Sequence, residues 1–73
     1  MLDLTPPDGW LTAFEWHGFD AVSYDAVYRL HIAEERADPG LLEAVQNDII
    51  EELEAHYGIE FECNDDNEFR RVQ

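Results

Sequence analysis

Few side chains in this sequence could carry covalent or metal chemistry. There is one cysteine, Cys63, and there are three histidines, His17, His31 and His56. A cysteine nucleophile needs a base beside it to take its proton. Cys63, however, shares the alternating parity of Ile59 and Phe61, where a thiol serves as a small buried hydrophobe. Glu52 and His56 stand four apart and can share a helix face, but the His-Glu-x-x-His spacing of zinc hydrolases is absent and two ligands leave a zinc shell half filled. Asn64-Asp65-Asp66-Asn67-Glu68 concentrates the oxygen donors that suit calcium without the Asp-x-Asp-x-Asp-Gly order that wraps them round one ion, so it reads as a turn. Eighteen carboxylates make some close pair unavoidable, which strips any one pair of meaning as an acid–base couple. No glycine-rich phosphate loop or dinucleotide fingerprint occurs. The expectation is a protein that is not an enzyme and uses no metal or cofactor.

The elements around these residues must come from a short chain. Seventy-three residues hold one core, so 1–73 reads as a single domain. Net charge of −14 on a chain with few hydrophobics would signal disorder, but 45% apolar residues, including two Trp, four Phe and three Tyr, argue for a folded core. Thr5-Pro6-Pro7-Asp8-Gly9 makes 1–9 an irregular lead-in. Trp10, Thr12, Phe14 and Trp16 alternate with Leu11, Ala13, Glu15 and His17, a period of two that predicts a first strand. Val22, Tyr24, Ala26, Tyr28, Leu30 and Ile32 share one parity and predict a second. Asp38 as N-cap, Pro39 at the first helical position and Gly58 at the end frame a helix between them, with Leu41, Leu42, Val45, Ile49, Leu53 and Tyr57 on one side. Ile59, Phe61 and Cys63 alternate with Glu60 and Glu62, and the Asn64–Asn67 turn leads into Glu68 to Gln73, a closing hairpin. The predicted fold is α+β: a small, mostly antiparallel sheet in the order strand, strand, helix, strand, strand, with one amphipathic helix packed on one face. Its expected core is Trp10, Phe14, Trp16, Tyr28, Leu30, Ile32, Leu42, Val45, Ile49, Leu53, Ile59 and Phe61.

The charge then decides what such a domain can meet. One cysteine rules out an internal disulfide, and neither a basic leader nor an apolar run of membrane length is present, so the reading is a soluble cytoplasmic protein. A surface of this sign repels DNA, RNA and anionic lipid, which leaves basic partners. Thirteen acids against one Arg crowd residues 34–68, and the chain has no lysine. Glu43, Asp48, Glu51, Glu52 and Glu54 span roughly 16 Å of helix at about 1.5 Å per residue, or one charge about every 3.3 Å, close to the roughly 3.4 Å between phosphates of one DNA strand; the five do not share one face, so the match is one of field strength and not of atomic positions. An ordinary soluble helix intersperses Lys with Glu; here repulsions such as Asp48 with Glu52 are left standing until a basic partner or concentrated salt relieves them.

In its small size, missing lysine and clustered acids the chain resembles the acidic inhibitors of phage and mobile elements that include anti-CRISPR and anti-restriction DNA mimics. The likeness lies in the general profile of the whole chain and transfers no residue. It implies a monomer or homodimer in the host-cell cytoplasm that occupies the basic nucleic-acid site of a binding protein or defence complex. The contact residues expected from this sequence are Glu43, Asp48, Glu51, Glu54, Glu60, Glu62, Asp65 and Asp66. The same acidity also suits a small halophilic domain whose carboxylates are a salt adaptation, or an acidic antidote that covers a nuclease toxin.

Overall fold

Short-range side-chain caps start all three helices. The computed structural model describes residues 5–72. In chain order the elements are β1 (Leu11–Thr12), α1 (Ala13–Gly18), α2 (Tyr24–Arg36), α3 (Pro39–Tyr57), β2 (Phe61–Cys63) and β3 (Glu68–Arg71). The strands form one antiparallel sheet in the order β1-β3-β2, in which Phe69 of the central strand faces Leu11 on one side and Cys63 on the other. The class is therefore α+β, with three helices and a three-stranded antiparallel sheet. Residues 5–9 of the expected lead-in carry no helix or strand, nor does Trp10, where the first strand was expected to begin; residues 1–4 and Gln73 lie outside the described residues. Among the described residues no helix is long and apolar enough to cross a membrane.

Both strands expected in the first half are helices instead, apart from the two residues of β1. At α1, Thr12 and Glu15 form a capping box: the Glu15 N–H donates to Thr12 Oγ1 at 3.2 Å, and the Thr12 N–H donates to Glu15 Oε1 at 2.9 Å. That pair satisfies two backbone donors and starts a helix inside the alternating run. Two residues along a helix turn the chain by about 200°, so Phe14 and Trp16 part company: Phe14 is 67% exposed while Trp16 is fully buried. At α2, Ser23 Oγ accepts the Ala26 N–H at 3.2 Å and caps the helix. Its buried stripe is Ala26, Leu30 and Ala33, at helical spacing. The period of two over 22–32 arises from Tyr24 and Tyr28, both of which lie exposed.

The helix α3 matches the expectation at both ends. Asp38 Oδ1 accepts the N–H groups of Gly40 and Leu41 at 3.1 and 3.2 Å, Pro39 opens the first turn, and Gly58 closes the last at φ +74°, a left-handed conformation that suits a residue without Cβ. Val45, Ile49 and Leu53 bury its inner face. The closing hairpin also forms, with Phe61 opposite Arg71 and Cys63 opposite Phe69.

Trp16 is the hub of the core. Its indole N–H donates to the Phe69 carbonyl at 2.9 Å, and its ring meets those of Phe61 at 5.5 Å and Tyr57 at 5.9 Å, edge to face. Of the expected core, Trp16, Leu30, Val45, Ile49, Leu53 and Phe61 are buried and Trp10, Ile32 and Leu42 half-buried, but Phe14, Tyr28 and Ile59 are exposed. Ala13, Ala26, Ala33 and Phe69 take the places those residues were expected to fill. Small side chains let the helices approach closely, and that approach turns the larger aromatics outward.

Candidate functional site

The groups with chemical potential are drawn into the fold's own bonding. Cys63 is half-buried on β2 and its thiol donates to the Asn64 carbonyl at 3.2 Å. Burial pushes the thiol's pKa up, and the charge of Asp65 adds to the rise, so Cys63 stays protonated where a nucleophile would be thiolate. Glu52, half of the Glu52/His56 pair, accepts the Ser23 N–H at 2.7 Å and the Ser23 hydroxyl at 3.2 Å, which places a carboxylate on the N-terminus of α2. The His17 Nδ1–H donates to the Val22 carbonyl at 2.8 Å and folds the α1–α2 turn back on itself. Asn64 Oδ1 accepts the N–H groups of Asp66 and Glu68 at 3.0 and 2.9 Å, so the oxygen-rich segment is a side-chain-braced turn. Among the described residues no three or more His, Cys, Asp or Glu are placed to hold a metal ion.

The eight acids expected as a contact surface fall into two sets. Asp48 accepts from the Arg29 guanidinium at 2.8 Å, and Arg29 also holds Asp25 at 3.0 Å, so this trio pins α2 to α3. Its hydrogen bond with Asp48 does most to raise the Arg29 pKa. Glu62 pairs with Arg70 at 2.8 Å, and the Arg70 guanidinium lies 4.3 Å above the Trp10 ring. Glu54 accepts the Phe61 N–H at 3.2 Å and ties the start of β2 to α3. These three carboxylates are half-buried and structural. Glu43, Glu51, Glu60, Asp65 and Asp66 are exposed.

Of Glu43, Asp48, Glu51, Glu52 and Glu54 only Glu43 and Glu51 stand exposed, about 12 Å apart along the axis at about 1.5 Å per residue. The rest turn toward α2 or the hairpin because α3 is packed on both sides, and a carboxylate beside a backbone N–H or an arginine is taken up by it.

The turn of the closing hairpin is tied to both long helices. Asn67, held at φ +59°, donates through Nδ2 to Glu34 Oε2 at 2.8 Å and accepts from Gln46 Nε2 at 2.6 Å, so one side chain joins β3's turn to α2 and α3. Glu43 lies one helical turn before Gln46, and Asp65 and Asp66 precede Asn67 in the turn. Glu34 thus sits beside the Asn67 side chain, next to the turn that carries Asp65 and Asp66. Beside them runs a groove of about 400 Å³ between α1 and α2, lined by Phe14, Tyr24, Val27 and Tyr28 with Glu34 and Asp66 at its edge. The contact residues expected from the sequence include neither Glu34 nor these three aromatic rings. The signals that would have found them are local: the Thr12-x-x-Glu15 box and the Ser23 cap, which put Phe14, Tyr24 and Tyr28 on outward faces.

No protein-family model, curated protein or solved structure matches the chain.

Proposed function

We propose that this chain is a non-enzymatic, cytoplasmic binding protein that inhibits a nucleic-acid-binding protein or complex by covering its basic nucleic-acid site with a carboxylate surface. One observation supports the reading most. Three of the four arginines are engaged in internal pairs, Arg29 with Asp25 and Asp48, Arg70 with Glu62 and Arg71 near Asp8, while Glu34, Glu43, Asp65 and Asp66 stay exposed. Such a surface gains from a cationic groove through long-range attraction and fast association. A defence complex of the anti-CRISPR or anti-restriction target type and a nuclease toxin present the same chemistry, an Arg/Lys channel evolved to hold phosphates, and each is a fitting victim.

The partner is sought by affinity capture from a bacterial lysate and mass spectrometry, then tested with a triple variant, Glu43→Gln, Asp65→Asn and Asp66→Asn. The variant should fold as the parent does, bind the captured partner more weakly, and compete less well with duplex DNA. Parent affinity should fall as salt rises toward about 0.5 M, where screening acts within a few ångströms. Wild-type affinity in the triple variant, or affinity indifferent to salt, refutes the reading. A salt-adapted domain behaves differently: circular dichroism would find it poorly folded in dilute buffer and much more stable in molar salt.

A further inference from the structure

Phe14, Tyr24 and Tyr28 are 67%, 66% and 54% exposed, an unusual cost for a 73-residue domain short of core. They line one groove, and Glu34 and Asp66 stand at its edge. Aromatic faces carry negative quadrupoles that attract cations, and a carboxylate alongside supplies the opposite charge and hydrogen-bond acceptors. The same molecule already shows this pairing filled: Arg70 lies 4.3 Å above Trp10 while its Nε–H donates to Glu62 at 2.8 Å. No arginine is among the described residues that line the α1–α2 groove.

We propose that this groove receives an arginine side chain of the basic partner, its guanidinium stacked on the Tyr28 and Phe14 rings and its N–H groups turned to Glu34 and Asp66. The inference rests on the binding function proposed above and names the anchor within it. Arginine is favoured over lysine because its flat, weakly hydrated guanidinium stacks on rings while its fork stays free for a carboxylate, whereas an ammonium is a strongly hydrated point charge. A second copy of this chain is a poor occupant, since each copy carries a net charge of −14.

The probes are three peptides of equal length carrying arginine, lysine or leucine at alternate positions between glycines. Binding is read by calorimetry and by amide chemical shifts on the whole chain. The arginine peptide should bind most tightly and shift the amides of residues 14, 24 and 28. Tyr28→Ala and Phe14→Ala, both at exposed positions, should each weaken it by about threefold to tenfold while leaving the circular dichroism unchanged. The lysine peptide should be weakened by Glu34→Gln with Asp66→Asn and stay indifferent to Tyr28→Ala. If arginine and lysine peptides bind alike and Tyr28→Ala alters neither, the groove proposal is overturned while the acidic surface stands. If neither cationic peptide binds the parent, both readings fall together. Equal or tighter binding of the leucine peptide, or self-association of the parent that shifts the same amides, also overturns the arginine slot.

Discussion

Phe14 and Trp16 stand two residues apart, and the fold gives them opposite fates. If residues 10–16 were an alternating strand, both would face the core and their truncation would cost alike. In the helical turn of α1 Trp16 is fully buried and hydrogen-bonded to the Phe69 carbonyl, while Phe14 is 67% exposed. Trp16→Phe removes that hydrogen bond, about 1 kcal/mol net. It also removes roughly 40 Å² of ring burial, about 1 kcal/mol at about 25 cal/mol per Å². The gap left among Tyr57, Phe61 and Phe69 adds to this, for a total of about 2–3 kcal/mol. Each kilocalorie lowers Tm by about 4–8 °C in a domain of this size, so Trp16→Phe should melt on the order of 10–20 °C below the parent. Phe14→Ala should stay within about 0.5 kcal/mol of the parent, as surface substitutions do. Thermal melts followed by far-ultraviolet circular dichroism compare the two directly. Equal losses in both variants would place the two rings on one buried face and refute the helical account of α1.

Two further outcomes follow from the caps and from the buried titratable groups. Thr12→Ala and Ser23→Ala should each cost about 1 kcal/mol, about 4–8 °C in Tm, since each leaves a helix N–H without its side-chain acceptor; parent-like melting in both would deny that these residues start α1 and α2. Burial raises the pKa of the Tyr57 phenol and of the Cys63 thiol, the latter with help from Asp65. The folded state thus prefers both groups protonated. Their contribution is fully present below the ordinary ionisation ranges and is lost as pH rises past about 8.5 for the thiol and about 10 for the phenol, because the unfolded chain releases its protons first. Urea midpoints taken from pH 7 to about 11.5 should fall over that window, and Cys63→Ala should flatten its lower part; a constant midpoint in the parent would show that neither group loses hydration on folding.

The helix α3 and the closing hairpin were legible in the residues themselves because their determinants are local. Asp38, Pro39 and Gly58 act on backbone groups a few residues away, the Val45–Ile49–Leu53 stripe is periodic, and Asn64 braces its own turn. The first half was misread for an equally physical reason. Tyr and Phe are apolar in any count, so Tyr24 and Tyr28 completed a period of two in a segment whose true burial stripe is the modest Ala26, Leu30 and Ala33. The two cap signals, Thr12-x-x-Glu15 and Ser23, were present and outweighed the alternation.

Composition alone settles the total charge: eighteen acids and four arginines give −14 in any fold. Which carboxylates remain at the surface with their charge uncompensated depends on the cation or N–H each one meets. Those meetings join residues far apart in sequence: Arg29 with Asp48 across α2 and α3, Ser23 with Glu52, and Glu34 with Asn67 across 33 positions. The same packing decides which aromatic rings stay outside, because a ring's burial is set by the partner surface that covers it, and that surface exists only once the helices and the sheet have come together.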